Sequence, residues 1–452
     1  MEKVAGSFRD PSGYLFWSEG TLNRSIAPSY FPHYDALMSS GLYQSLIDKK
    51  LLISHTEKTE HWSKQQRVIA PQLVPFISYP YEWSFSQLKD AALLTLTITK
   101  EALSHGMILK DASAYNVQFI GSHPIFIDTL SFEKYEAGKP WIAYKQFCEQ
   151  FLAPLALMAY TDIRLNSLLK VNTQGVALDL AAKLLPFKTY FKLPLLLHIH
   201  LHANAQKKYE SQSTKKTTAT VSQTQLLGLL DNLESGIKNC TYHATGTEWA
   251  DYYNDDSYTT TGFADKKRLV GEFFALAQPK TTWDLGANNG EFSRLATQHS
   301  DLVLSMDIDP ACVEKNYCAA KKEQNQKLLP LLIDLMNPSC ALGWANKERQ
   351  NLQERPHPDC ILALALIHHL AISNNVPLEA AAAYCASLTT WLIIEFVPKE
   401  DKKVKTLLQS RADIFDTYDQ DNFEHSFSQY FTVLSKEQIK ESKRAVYLMK
   451  KL

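Results

Sequence analysis

TTWDLGANNGEF, residues 281–292, decides the reading of this chain. TTWDL has the β-branched and apolar content of a short strand, GANNG supplies a glycine bend, and EFSRLATQ places Phe292, Leu295 and Ala296 on one helical face. A strand that turns sharply into a helix is a ligand-binding bend. Its glycines, Gly286 and Gly290 with Asn288 between them, are spaced G-x-x-x-G. That spacing fails the dinucleotide pattern G-x-G-x-x-G, and no G-K-[ST] follows to make a phosphate loop. Asp284 points the same way, because a carboxylate beside the bend repels a pyrophosphate and attracts an ammonium or sulfonium group. Adenosylmethionine carries both cations and no phosphate.

Outward from the bend, strands and helices alternate. DLVLSMD (301–307) reads as the second strand and CVEKNYCAAKKEQ as the helix after it. KLLPLLID (327–334) and DCILALAL (359–366) read as the third and fourth strands, LEAAAAYCASL (378–388) as a helix, and WLIIEFV (391–397) as the fifth strand. FTVLSKEQI and RAVYLMK read as a terminal hairpin. The alternation predicts a mainly parallel sheet covered by helices on both faces, with its ligand beyond the C-terminal strand ends. Asp284, Asp307, Asp334 and His368 all fall at or just past those ends. Asp307 follows Asp284 by 23 residues. Nucleoside-binding folds place a ribose-binding carboxylate about 20 residues beyond the glycine loop. Asp334 is placed to accept from an adenine amino group.

D-L-G-A-N-N-G, S-M-D-I-D, L-I-D and A-L-I-H-H-L, in that order, resemble the class I adenosylmethionine-dependent methyltransferases over roughly 240–452. WADYYNDDSYTTTGFADKK and EFVPKEDKKVKTLLQSRADIF resemble the nodulation-protein-like subgroup. The resemblance implies a Rossmann-like α/β domain whose seven-stranded sheet ends in an antiparallel hairpin, with S-adenosyl-L-methionine as methyl donor. It implies Asp284, Gly286, Asn288 and Gly290 around the methionine portion, Asp307 on the ribose hydroxyls, and Asp334 with Leu335 near adenine. Ile308 and Ala365 complete the implied set. Asn288 stands where many members have glycine; asparagine tolerates left-handed backbone angles.

Methyl transfer needs in-line positioning and often removal of a proton. His368 and His369, after the fourth strand, are candidate bases by place and by pKa. Glu395, ending the fifth strand, is another, and equally a candidate helix cap or ion-pair partner. Asn374 and Asn375 lie in the following loop, where turn formation competes with substrate orientation. Trp249, Tyr252, Tyr253 and Tyr258 precede the first strand as an aromatic cluster, placed for packing or for covering the cofactor. His198, His200 and His202 alternate, but FKLPLLLHIHLHANAQKKYE reads as helical, which splits them; no metal constellation stands out.

The chain has 452 residues, 45% apolar and 21% charged, with a formal net charge of −1. That composition predicts two globular domains and gives no support for general nucleic-acid binding. Seven scattered cysteines without a C-x-x-C pair predict free thiols. MEKVAGSFRDPSG has no apolar signal core, and the longest apolar runs are too short and polar to span a bilayer, so a cytoplasmic protein without membrane insertion is expected. AQKKYESQSTKKTTATVSQT (205–224) reads as a polar linker between a first domain, 1–204, and the methyltransferase domain, 225–452.

In the first domain, SFSQLKDAALLTLTITKEALSHG (84–106) predicts a helix, with Ser84 and Gln87 as a capping box and Gly106 as its stop. MILKDASAYNVQFIGSHPIFID follows: Asp111 and Asn116 are spaced D-x-x-x-x-N, then two strands joined by GSHP lead to Asp128. This resembles the catalytic segment of the protein-kinase-like phosphotransferases, an α+β fold. There the first Asp meets the acceptor hydroxyl, and Asn with the later Asp holds magnesium. PFISYPYEW (75–83) fits that fold's strand-and-hinge segment and GYLFWSEGTLNRSI (13–26) its small-lobe hairpin. The departures are a missing glycine-rich loop, no V-A-I-K-like lysine, His105 too far ahead of Asp111, and Thr129–Leu130 after Asp128. A degenerate kinase-like scaffold that positions the acceptor fits these better than an active phosphotransferase. The expected acceptor is a small molecule or glycan, with a protein side chain second. The alternative is a bifunctional protein with an active magnesium–ATP phosphotransferase domain.

Overall fold

A computed structural model describes residues 2–202, 220–244, 258–409 and 412–452. Contacts divide the chain into two units, 1–243 with 340–350, and 244–339 with 351–452.

The first unit opens with a five-stranded antiparallel sheet of β1 (Glu2–Lys3), β2 (Gly13–Ser18), β3 (Thr21–Ile26), β4 (His55–Glu57) and β5 (Arg67–Pro71), in the order β1-β2-β3-β5-β4. Helices Phe31–Ser39 and Leu42–Asp48 lie between β3 and β4 in sequence. β2 and β3 are the hairpin expected over 13–26. This is the small-lobe arrangement that the kinase-like resemblance implies. The helix Phe85–Ser104 has the expected capping box: Gln87 N donates to Ser84 Oγ at 3.3 Å, and Ser84 N donates to Gln87 Oε1 at 2.9 Å. After it come β6 (Met107–Leu109), β7 (Val117–Ile120), β8 (His123–Phe126) and β9 (Phe132–Lys134). His123 and Pro124, expected in the turn, instead open β8.

PFISYPYEW is not a strand. Pro75 and Pro80 remove backbone donors, and Pro80–Glu82 is a single 3₁₀ turn. The Gln118 side chain replaces sheet pairing there: its Oε1 accepts from Ser78 N and its Nε2 donates to Ser78 O, both at 2.9 Å.

The helix Gln223–Asn239, expected in the downstream domain, belongs to the first unit. Leu226, Leu230, Leu233 and Ile237 form its buried stripe. Lys100 pairs with Asp231 and Glu234, and Lys89 Nζ donates to Lys238 O and Cys240 O at 2.8 Å. Burial of that stripe sets the boundary at 243–244. Most of the expected linker, 205–219, lies outside the described residues. Residues 340–350 also belong to the first unit: Arg9 makes two bonds of 2.7 Å to Glu348, and Gln350 N donates to Tyr79 Oη at 2.8 Å.

The second unit is a seven-stranded sheet of β10 (Thr281–Leu285), β11 (Leu302–Asp307), β12 (Leu328–Leu332), β13 (Cys360–Ala363), β14 (Trp391–Phe396), β15 (Phe431–Gln438) and β16 (Ala445–Lys451). Its order is β12-β11-β10-β13-β14-β16-β15. β10 to β14 are parallel, and β16 runs antiparallel to both β14 and β15. The Rossmann-like sheet and its terminal hairpin are therefore as the sequence implies. The helix Thr260–Ala277 buries Leu269, Val270, Phe273 and Phe274 in a cluster with Val303, Leu328, Cys360, Ile393 and Val446 of the sheet. Each such large side chain contributes about 1.5–3 kcal/mol on burial. Strand order reverses between β11 and β13 on either side of β10, which fixes the ligand crevice at the C-terminal end of β10.

Candidate functional site

The bend after β10 is wound from three left-handed residues, Gly286 (φ 73°), Asn288 (φ 52°) and Gly290 (φ 79°). Gly286 N and Ala287 N donate to Met306 O at 2.9 and 3.0 Å, which ties the bend to β11. A Cβ on Gly290 would lie 2.3 Å from Asn316 Oδ1, so only glycine fits. Asn316 is fixed in turn by Ser305 Oγ at 2.7 Å and Arg294 Nη1 at 3.0 Å. Gly290 therefore shapes the bend from behind and does not line the cavity.

A cavity of about 400 Å³ opens in front of the bend. Asp284, Gly286, Asn288, Asp307, Ile308, Asp334, Leu335 and Ala365, the candidate cofactor residues, all line it. Three carboxylates among the described lining residues face this space. Asp284 is buried beneath the bend and accepts from Ser293 Oγ at 2.5 Å. Burial raises its pKa to about 7, with the negative charge of Asp307 adding to the rise. Asp307 Oδ2 accepts from Asn288 N at 2.7 Å and its Oδ1 from Asp309 N at 2.8 Å. Burial raises Asp307 to about 6 against those two backbone donors. Asp334 Oδ1 accepts from Met336 N at 2.8 Å. These bonds fix each carboxylate and leave acceptor capacity, since an ionised carboxylate has about four lone-pair sites.

Lys266 is the lining cation that sequence reading missed. It sits inside the helix Thr260–Ala277, and nothing local distinguishes it from the adjacent Lys267. Its Nζ donates to Glu395 Oε2 at 2.7 Å and to Tyr258 Oη at 2.9 Å. Burial lowers its pKa against the pull of Glu395. Arg444 Nη1 completes the group, 2.6 Å from Tyr258 Oη and 3.7 Å from Glu395.

The candidate bases separate. Glu395 is fully buried and does not line the cavity. Burial would raise its pKa, but Lys266 and Arg444 outweigh that and hold it below the ordinary value. Its Oε2 also accepts from Ala365 N at 2.9 Å. Ala365 is left-handed (φ 50°), so β13 ends at Ala363, short of the expected 366. Glu395 therefore holds the turn and is not presented to an acceptor. His368 is 1% exposed, away from the cavity lining, and held well below its ordinary pKa by burial and by His369. His369 does line the cavity, with burial lowering its pKa to about 4. Asn374 lines the cavity too, and its Nδ2 donates to His369 O at 2.9 Å. Tyr258 is in the lining, as one of the two options for the aromatic cluster anticipated. Trp249, Tyr252 and Tyr253 lie outside the described residues.

In the first unit, Asp111, Asn116 and Asp128 come together in space. Asn116 Nδ2 donates to Ser131 Oγ at 3.1 Å, and Ser131 Oγ donates to Asp128. Asp111 Oδ1 accepts from Ser113 N at 2.9 Å and Gln146 Nε2 at 2.8 Å, with its pKa raised by burial. Arg24 of β3 puts Nη1 2.6 Å from Asp128 Oδ1 and Nη2 2.8 Å from Asp10 Oδ2. A guanidinium therefore sits against one oxygen of the carboxylate that the resemblance makes a magnesium ligand. Sequence reading sought a lysine in this sheet and passed over the arginine. His198 and His200 have separate partners, Tyr144 with Asn232 for the first and Thr189 for the second.

No family model matches the chain. Among solved structures, it is similar to the N-methyltransferase NodS from Bradyrhizobium japonicum WM9 in complex with S-adenosyl-L-homocysteine, at 8% identity and a TM-score of 0.33, over 45% of this chain and 99% of that one. It is also similar to the magnesium protoporphyrin IX methyltransferase ChlM from Synechocystis PCC 6803, at 18% identity and a TM-score of 0.32, over 45% and 92% of the two chains. The bifunctional kinase–methyltransferase WbdD aligns at 15% identity and a TM-score of 0.30, over 46% of this chain and 43% of that one. Among curated proteins, nodulation protein NoeA of Rhizobium meliloti (strain 1021) is 37% identical over 462 residues, covering 98% of this chain and 95% of the relative. At that identity over nearly both full lengths, the chain belongs to the family of nodulation protein NoeA.

Proposed function

We propose that the second unit is an S-adenosyl-L-methionine-dependent methyltransferase acting on a small-molecule or glycan acceptor. The observation that carries this is the charge of the cavity. Asp284, Asp307 and Asp334 line it, and Lys266, the one lysine among its described lining residues, is already paired with Glu395. An anionic dinucleotide or triphosphate meets repulsion there, whereas a sulfonium nucleoside meets attraction. Asp307 suits the ribose diol, Asp334 the adenine amino group, and the exposed side chains of Ile308 and Met336 flank the base.

The bound nucleoside would supply an electrophilic methyl group. The chain fixes its donor by the bend and the three carboxylates, so that transfer becomes a matter of aligning the acceptor atom. His369 lines the cavity and is neutral near pH 7, burial lowering its pKa to about 4. It is the candidate to take the acceptor's proton as the acceptor's lone pair attacks the methyl carbon and the sulfur leaves as the thioether. The first unit serves acceptor recognition, a reading supported by the pairing of Arg24 with Asp128, the expected magnesium ligand.

Calorimetric titration with adenosylmethionine tests the donor, and incubation of cell extract with the protein and methyl-labelled adenosylmethionine tests transfer. Micromolar binding and a labelled small-molecule or oligosaccharide fraction support the proposal. NADH or ATP binding in place of adenosylmethionine overturns it, and label confined to protein redirects the acceptor assignment to a side chain.

A further inference from the structure

The stretch LLPFKTYFKLPLLLHIHL, residues 184–201, reverses the usual polarity of a surface. Its two imidazoles are buried, and although Leu185, Leu195 and Ile199 face the core, Phe187, Phe191, Leu193, Leu197 and Leu201 are exposed. His198 and His200 are buried, the first bonded to Tyr144 Oη at 2.8 Å and Asn232 Oδ1 at 2.9 Å, the second to Thr189 Oγ1 at 2.9 Å. Phe187 is 73% exposed, Phe191 79% and Leu193 59%. Leu193, Leu197 and Leu201 recur every four residues, which puts them on one face of the helical run.

These groups form one ordered patch. The Phe187 ring lies 5.5 Å from that of Phe191 and 5.6 Å from that of Tyr190. Tyr190 in turn stacks on His200 at 3.8 Å, joining the aromatic cluster to the leucine stripe. The cluster is therefore held out from the fold by a buried polar support. A patch of this kind marks an interaction site.

The charge says which partner it fits. No aspartate or glutamate occurs between Asp179 and Glu210, while Lys183, Lys188 and Lys192 punctuate the patch and are exposed. Lys183 pairs with Asp179 at 3.8 Å, and Lys192 lies 5.0 Å over the Tyr160 ring. Exposed phenylalanines and leucines beside Lys188 and Lys192, with no acid in the sequence of the stretch itself, are the composition of an interfacial anchor, in which the rings enter the acyl boundary and the ammonium groups meet anionic headgroups. Among the described residues no helix is long and apolar enough to cross a membrane, so any such contact is peripheral.

We infer that residues 184–201 form a docking surface for an anionic lipid bilayer. This surface lies wholly in the first unit and stands independently of the methyl-transfer proposal.

Flotation of the full chain with vesicles tests it. Vesicles of phosphatidylcholine mixed with phosphatidylglycerol should carry the protein upward, pure phosphatidylcholine at least tenfold less, and high salt should weaken the first. Phe187→Ser with Phe191→Ser should abolish flotation, and Lys188→Glu should reduce it at least fivefold. Both variants should keep the wild-type Tm, because these side chains are exposed. Wild-type protein that stays at the bottom with acidic vesicles overturns the inference. So does a double serine variant that floats like wild type. A dimer that the serine variant dissociates, without vesicle binding by the wild type, assigns the surface to a second copy and likewise overturns it.

Discussion

Lys266 Nζ lies 2.7 Å from Glu395 Oε2, with side-chain exposures of 4% and 0%. This pair joins the helix before the sheet to its fifth strand, and Glu395 passes the link on to Ala365 N beside the cavity. Removing one partner of a buried pair leaves an uncompensated charge, which costs about 3–5 kcal/mol. Glu395→Gln should lower stability by roughly that amount and Glu395→Asp by less. Chemical denaturation measures both. A loss for Glu395→Gln indistinguishable from zero would show that the ion pair does not support the site.

Asp284 and Asp307 give adenosylmethionine binding a defined pH dependence. Their pKa values stand near 7 and near 6, above the ordinary carboxylate value of 3.8. A cationic ligand stabilises the ionised forms, so binding releases protons. Affinity should therefore rise as the pH increases from 5 to 8 and level off above. Folding runs in the opposite sense. A raised carboxylate contributes stability below its unfolded pKa that is lost as the pH rises through its folded pKa. Asp284→Asn should raise Tm at pH 8 and flatten the upper part of the binding curve. Calorimetry in two buffers of different ionisation enthalpy counts the released proton, and zero release at pH 6.5 contradicts the assignment.

Asp307→Ala should weaken adenosylmethionine binding by about 10- to 100-fold, corresponding to hydrogen bonds to a charged group of about 1.5–3 kcal/mol. The variant also loses the acceptor for Asn288 N, so Asp307→Asn is the needed companion; its carboxamide oxygen can still take that bond. An isotherm unchanged in both variants removes Asp307 from the ribose subsite.

Much of the second unit was legible because its signals are local. TTWDL became β10 residue for residue, and LEAAAAYCASL its helix. The carboxylates at strand ends could be placed by counting, since parallel strands deliver their C-termini to one edge. What was not legible depends on partners distant in sequence. Lys266 meets Glu395 across 129 positions and Arg24 meets Asp128 across 104. No spacing rule connects such pairs. For Glu395 the sequence offers base, helix cap and ion-pair partner alike, because strand-end position says nothing about what fills the space around a carboxylate. The helix Gln223–Asn239 was assigned downstream because a polar stretch precedes it, yet its apolar stripe is buried in the first unit.

Arg24 makes a prediction for the first unit. With its guanidinium on Asp128, the chain should show no magnesium-dependent ATP binding at millimolar concentrations by calorimetry or thermal shift. Arg24→Ala should lower Tm, because Asp128 and Asp10 both lose their cationic partner. Magnesium-dependent stabilisation of the wild-type chain by ATP would instead favour the bifunctional alternative.

The two histidines after β13 should separate kinetically once an acceptor is in hand. His369 lines the cavity with its pKa near 4, whereas His368 is buried outside the lining. At saturating adenosylmethionine, kcat should stay level from about pH 6 to 9 and fall towards pH 4 as the His369 imidazole gains a proton. His369→Ala should lower kcat by about 10²–10⁴-fold, the usual contribution of a positioned base, while donor affinity changes little. His368→Ala should act on stability, by about 1–3 kcal/mol as for other buried truncations, and change kcat only slightly. Equal loss of kcat in both variants would mean that the pair acts as one structural brace and that His369 takes no proton.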